Sequence, residues 1–309
     1  MSPPVQESPQ DFPGSSAALH VVGNATEDLF FALSHLPRPG ETLVADRVLT
    51  SPGGKGLNQA VLAARCGVRV HLLAPVGEDP FAERVRDLAR AEGIRADCPV
   101  TAPLSDRSII AVDRHGENTI LSSAASADGL LPAVAEKALG RCRPGDRVLL
   151  QGNLSRATTM TALVTARRRG CRTIANPSPL RWAWEGLWPE VDTVVLNRLE
   201  LESLSGTANL EAGVDELLSQ GCRRVLVTMG ADGAQLFNRE ESTLRQSAAP
   251  VAAVVDTAGA GDTFTGVFVA AEMKGHPTTE ALRHAAAAAA YTINRPGTLT
   301  AFPPAAVLP

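Results

Sequence analysis

Aromatic residues are scarce in this chain: they fill 4% of its 309 positions, with a single tyrosine. That leaves little from which to build a stacking platform for a nucleobase. The five cysteines, Cys66, Cys98, Cys142, Cys171 and Cys222, are scattered, odd in number and never arranged as CxxC, so they read as reduced, buried thiols. No run approaches the roughly 18 uninterrupted apolar residues of a membrane span. Positive charge is not in excess either. A formal charge of -4 and a pI near 5.9 give no electrostatic footprint for nucleic acid. No apolar secretion segment follows a basic start. Residues 1–17, rich in proline, serine and acid, are expected to be a disordered tail, and the protein is expected in the cytoplasm.

Apolar residues make up 44% of the chain, ample for a buried core. The length suits one large α/β domain with a small appendage as well as two equal domains. Short β-rich apolar runs at Leu19–Val22, Val70–Ala74, Arg147–Gln151, Thr173–Ala175, Thr193–Leu196, Arg224–Thr228 and Val251–Val255 alternate with helical patterns. Those patterns fall at Leu57–Cys66, Phe81–Ala91, Ala157–Arg168, Val214–Ser219, Thr263–Lys274 and Glu280–Ile293. Such alternation predicts a mostly parallel sheet covered by helices on both faces. Two stretches, near 30–50 and 100–121, hold strand patterns without crossover helices. They read as a small β lid over the sheet edge, or equally as two surface excursions. The remainder, 18–309, reads as one unit with no linker and no repeat.

The segment richest in chemistry is Val251–Val255 followed by Asp256-Thr257-Ala258-Gly259-Ala260-Gly261-Asp262 and a helix from Thr263. Strand, glycine turn and helix start make an anion site, because first-turn N–H groups and the helix dipole attract negative charge. Asp262-Thr263 stands where a Walker loop needs Lys-Ser/Thr, and Phe264 where a dinucleotide loop needs glycine. An acid among phosphate oxygens needs its own task. General base for an incoming hydroxyl is one such task, and simple helix capping is the other.

Three further groups stand just after predicted strands. Pro52-Gly53-Gly54-Lys55-Gly56 leads into a helix carrying Asn58 and Gln59, and Asp28 follows the first strand; together they form either a polyol cradle or a tight turn. Asn197 and Glu200, three apart, suit either a water-ringed Mg²⁺ or a capping box. Thr228 to Gly233 suits either a nucleotide contact or a hairpin turn.

In this order and over nearly the whole chain, these pieces resemble the ribokinase-like (pfkB) carbohydrate kinase family. The early motif is Gly53 to Gln59 and the late one Asp256 to Phe264; Gly116-Glu117-Asn118, Asn176-Pro177 and Arg295 with Gly297 extend the similarity. The resemblance implies a doubly wound α/β/α fold with a small β-sheet lid, ATP and Mg²⁺ as co-substrates, and often a monovalent cation such as K⁺. It implies Asp262 as base, with an anion hole over Gly259, Ala260, Gly261 and Asp262. Asp28, Gly54, Lys55 and Asn58 would bind the acceptor. Asn197, Thr228, Gly230 and Gly261 would serve the nucleotide, Glu200 the Mg²⁺ through water. Asp256 and the carbonyls of Ala258, Ile293 and Thr298 look like the cation site. A homodimer through the lid is also implied.

Departures from the family pattern concern the acceptor. Ribokinases commonly have Asn where Thr26 stands and Glu where Asn153 stands, and Ala286 replaces a histidine often found near adenine. A sugar-like acceptor is the first expectation and a nucleoside the second, the latter favoured if Phe30 or Phe31 offers a platform. A catalytically dead sugar sensor is disfavoured because Asp262 and Glu200 are both present. A dinucleotide oxidoreductase is disfavoured by the lack of GxGxxG after the first strand.

Overall fold

The computed structural model describes residues 17–115, 118–239, 241–251 and 253–309. The expected tail, apart from residue 17, lies outside them, as do Gly116, Glu117 and the side chain of Asn118.

The chain runs β1 (Leu19–Val22), β2 (Thr26–Ala32), β3 (Arg47–Gly53), α1 (Lys55–Arg65), β4 (Val70–Leu73), β5 (Val76–Gly77), α2 (Pro80–Ala91), β6 (Arg95–Asp97) and β7 (Val100–Ala102). It continues with β8 (Arg107–Val112), β9 (Asn118–Ser122), α3 (Ala125–Asp128), α4 (Pro132–Leu139), β10 (Arg147–Gln151), α5 (Arg156–Arg168), β11 (Arg172–Asn176) and β12 (Thr193–Asn197). Then come α6 (Arg198–Ser205), α7 (Leu210–Ser219), β13 (Arg224–Thr228), β14 (Ala234–Asn238), β15 (Leu244–Gln246), α8 (Ala260–Met273) and α9 (Thr278–Ile293).

Nine strands form the main sheet in the order β15-β14-β13-β12-β11-β10-β1-β4-β6. All its pairs are parallel except β13 with β14 and β14 with β15. The strands read as near-continuous apolar runs because both faces are covered. Leu149, Ile174, Val195 and Leu226 face α1, α2, α8 and α9, whereas their neighbours Leu150, Ala175, Val194 and Val225 face the core beneath α4 to α7. This is the doubly wound α/β/α architecture that the motifs imply. The chain leaves β1 toward β4 on one side and later returns to β10 on the other, so a ligand crevice opens where the order reverses, at the carboxyl ends of the strands.

A second sheet of four strands, β3-β2-β8-β9, is built from 26–32, 47–53, 107–112 and 118–122. It starts earlier than residue 30, and Val100–Ala102 belongs instead to a two-stranded pairing with β5. Along β2, Thr26, Asp28 and Phe30 are buried and share one face, while Glu27, Leu29 and Phe31 take the other.

One predicted strand is absent. Among the described residues of Val251–Val255 none pairs with a sheet, and Val254 and Val255 are exposed. The segment is tied instead to the end of α9: Val255 N and Asp256 N donate to Ile293 O at 2.8 and 3.3 Å, and Ala253 N to Asn294 Oδ1 at 3.2 Å. Its backbone donors are committed to the end of that helix and not to a sheet ladder. The following helix also starts earlier than expected, at Ala260, which moves Asp262 inside its first turn.

Candidate active site

The glycine turn after Asp256 ends at Gly259, the N-cap of α8, in the left-handed region at φ 76, where L side chains are strained. Asp262 is the third residue of that helix and is 5% exposed. It caps nothing: α8 has no side-chain cap, and the carboxylate turns toward α1. Its Oδ1 accepts from Gln59 Nε2 at 2.9 Å, its Oδ2 accepts from Asn58 Nδ2 at 3.0 Å, and Lys55 Nζ stands 3.6 Å from Oδ1. Both sequence motifs therefore meet at one carboxylate.

Gln59 is the residue that sequence reasoning missed. It lies inside the quoted glycine motif with no role attached, yet it is wholly buried and joins Asp262, Asn176 and Gln151. A buried amide so close to a buried Asn on one helix, with another directly after Val148-Leu149-Leu150 at the end of a strand, was the available signal.

Beyond Asp262 opens a cavity of about 250 Å³, with Lys55, Ile120, Asn197, Glu200 and Thr228 in its wall. Gly259, Gly261 and Ala258 complete its floor at the start of α8, and nothing lies within 4 Å of where a Cβ on Gly261 would point. First-turn N–H groups of a helix have no intrahelical acceptor, so this floor suits an anion. Asn197 and Glu200 form a reciprocal capping box: Glu200 N donates to Asn197 Oδ1 at 2.8 Å and Asn197 N to Glu200 Oε2 at 2.9 Å. The capping reading thus holds, with both residues still at the cavity wall. Thr228 also lines the cavity while the turn behind it joins antiparallel strands, Met229 N donating to Gly233 O at 2.8 Å. Gly230 lies in that turn with open space above it.

Asp28 lies on the buried face of β2 and is not in the cavity wall. Thr26 Oγ1 donates to its Oδ1 at 2.7 Å, and Gly53, just before the α1 N-cap Gly54, passes directly beneath the carboxylate. Burial pushes the Asp28 carboxyl up to about 7; hydrogen bonds from Thr26 and Ser108 oppose that shift, and the negative charge of Asp262 adds to it. Asn58 Oδ1 is buried and has no hydrogen-bond partner. Asn153 follows β10 with its Oδ1 also buried and unpartnered, and its backbone carbonyl accepts from Arg181 Nη1 at 2.5 Å. It is not in the cavity wall either.

The expected cation site is differently engaged. Asp256 Oδ1 accepts from Ala258 N at 2.8 Å and Oδ2 from Gly297 N at 2.9 Å. The carbonyl of Ile293 accepts two N–H groups and so does that of Thr298. Asp256 braces the loop before α8 against the segment after α9. The carbonyls of Ile293 and Thr298 have thus met two donors each, whereas each oxygen of Asp256 has met one.

Among the described residues, two other groups of possible metal ligands lie away from this cavity. Asp146, beside His20 and Cys142, already accepts from Ala18 N, Arg143 N and His20 Nε2. His276, Glu280 and His284 sit beside Arg283, whose Nη2 lies 3.4 Å from His284 Nε2, and the charge of Lys274 acts on the same imidazole. Neither arrangement welcomes a cation.

Fold and site together define a phosphotransferase with an alcohol group as acceptor. More narrowly, residues 17–305 match the pfkB family of carbohydrate kinases, and the chain belongs to that family. It is 28% identical over 292 residues to a ribokinase of Haemophilus influenzae, covering 92% of this chain and 95% of that one. It is 30% identical over 291 residues to a deoxyribokinase of Salmonella typhi, covering 92% and 94%. The solved structure of Arabidopsis thaliana ribokinase, complexed with ribose and ATP, matches with a TM-score of 0.82 at 27% identity, covering 94% of this chain and 97% of that one.

Proposed function

We propose that this carbohydrate kinase transfers the γ-phosphate of ATP to a hydroxyl of a small furanose-like sugar, with Asp262 as general base. The observation that carries the reading is the buried carboxylate of Asp262, in the first turn of α8, held by Asn58, Gln59 and Lys55 beside the cavity. The acceptor would sit between α1 and the second sheet, which acts as a lid. Asp28 accepts from a vicinal diol, the unpartnered Asn58 Oδ1 accepts a further hydroxyl proton, and Lys55 closes the end nearest Asp262. Asp262 takes the proton of the attacking hydroxyl, and the N–H groups of Gly259, Gly261 and Asp262 receive the charge that develops on the phosphoryl oxygens; that of Ala260 already donates to Thr257 O at 3.3 Å.

Bound ATP supplies the phosphoryl group and its Mg²⁺ neutralises charge. Asn197 and Thr228 at the cavity wall, with Gly230 in the turn after Thr228, would hold the nucleotide, and Glu200 the water shell of the Mg²⁺. No cation beside Asp256 enters the proposal. Relatives named for ribose and for deoxyribose lie at similar identity. Thr26 and Asn153 differ from the usual ribokinase pair, so the preferred acceptor is proposed not to be free D-ribose. A nucleoside is the second reading, and in its favour Phe30 shares the face of Asp28.

The protein is proposed to act in the cytoplasm. All five cysteines are free, and no helix among the described residues is long and apolar enough to cross a membrane. Val48, Ile109 and Leu121 stand exposed on the lid face opposite Asp28, which suits pairing with a second copy. A coupled ATPase screen over pentoses, hexoses, sugar phosphates and nucleosides tests the acceptor class. Turnover with none of them, by folded protein that binds ATP, would contradict the reading.

A further inference from the structure

The polarity of a buried amide chain around Asp262 can be followed from a fixed backbone group. Asn176 Nδ2 donates to Val195 O at 2.9 Å; a carbonyl can only accept, so Asn176 must turn its Oδ1 the other way, toward Gln59. Gln59 Nε2 has two hydrogens, and it gives one to Asn176 Oδ1 at 3.0 Å and the other to Asp262 Oδ1 at 2.9 Å. Its Oε1 is left facing Gln151 Nε2, from which it accepts at 2.7 Å. Flipping Gln59 would set its oxygen against two oxygens and its nitrogen against a third amide nitrogen. Gln59 and Gln151 are both wholly buried, so no water repairs such a mismatch.

From this chain we infer that Gln59 is a positioning residue that fixes the rotamer of Asp262, so that Oδ1 is held and Oδ2 is the oxygen that receives the acceptor proton. Oδ1 faces Gln59 and Lys55, while Oδ2 meets one donor, Asn58, on the side assigned to the acceptor. The chain joins the carboxyl ends of β10, β11 and β12 through α1 to α8, so the base is aligned by the sheet and not by the glycine loop alone. The charged groups that bear on Asp262 are Lys55 from α1 and Asp28 from β2. The inference rests on Asp262 being the base.

Gln59→Glu is nearly isosteric and replaces the donor with an oxygen against Asp262. It is expected to lower kcat about 10²-fold at pH 7, the scale of a small misplacement in an active site, and to move the acid limb of the kcat profile to higher pH. Gln59→Met removes the donor without adding charge. It is expected to cost about 10-fold in kcat with the KM for ATP within about 2-fold, and it is read alone if Gln59→Glu does not fold. Asp262→Asn is run beside them. If Asp262→Asn is inactive while folded Gln59→Met keeps full kcat and an unchanged pH profile, the positioning role is overturned and the base survives. If folded Asp262→Asn retains activity, both fall.

Discussion

Gly53 lies directly under the carboxylate of Asp28, so close that a Cβ at Gly53 would overlap Asp28 Oδ2. The last residue of β3 thus has to be glycine for Asp28 to keep its place on the buried face of the lid. Gly53→Ala is expected to displace the carboxylate and raise the acceptor KM by about 10- to 100-fold, the range for losing a hydrogen bond to a charged group. ATP affinity should stay near its original value. A folded Gly53→Ala protein with unaltered acceptor KM would remove Asp28 from the acceptor site.

Burial has a second consequence for Asp28. Its folded-state carboxyl titrates at about 7, above the 3.8 of the free group, so the folded protein binds the proton more tightly than the unfolded chain. Stability therefore falls as pH rises from about 4 to about 7 and levels off above that; the penalty is at most about 4 kcal/mol. Asp28→Asn removes it. The variant is expected to melt several degrees above the parent at pH 8 and close to it at pH 4. A melting difference of equal size at both pH values would show that ionisation of Asp28 is not its source.

Much of the fold was legible because six strands of the main sheet, such as β10 and β13, are buried on both faces and carry apolar runs. Val251–Val255 reads the same way, and nothing local reveals that its backbone is tied to the end of α9 instead. The antiparallel pair β14 and β15 escaped for the opposite reason: an edge pair carrying Gln235, Arg245 and Gln246 lacks a clear apolar period. Asp262 could be found because its motif is local. The direction in which Gln59 points is set by Val195 O, far away in sequence, and Asp256 as a brace depends on Gly297 in the same way.

At the far end of the cavity, Glu200→Gln keeps the capping box, because glutamine can still accept from Asn197 N. Helix α6 should therefore remain, with melting temperature nearly unchanged. What changes is the charge offered to the metal's water shell, so the Mg²⁺ concentration for half-maximal rate is expected to rise about 3- to 10-fold. An Mg²⁺ titration superimposable on that of the parent would sink the assignment.

Acceptor choice is expected to depend on Thr26 and Asn153. Thr26 commits its hydroxyl to Asp28, and Asn153 leaves a buried oxygen unpaired. A site group left without its hydroxyl partner costs about 1–3 kcal/mol, enough to reorder related sugars. Thr26→Asn combined with Asn153→Glu should raise kcat/KM for D-ribose relative to the best acceptor of the parent. If the parent already prefers D-ribose over every sugar in the screen, this account of specificity is wrong.

Asp262→Asn tests the central claim most directly. The amide can still accept from Gln59 and, with Asn58 turned so that its unpartnered Oδ1 faces it, donate to Asn58, so the fold and the cavity should survive, but it cannot take up a hydroxyl proton. Single-turnover phosphoryl transfer with saturating acceptor and ATP should fall by about 10²- to 10⁴-fold, with ATP binding within about 2-fold of the parent. A folded variant that transfers phosphate at a rate within about 3-fold of the parent would contradict the account.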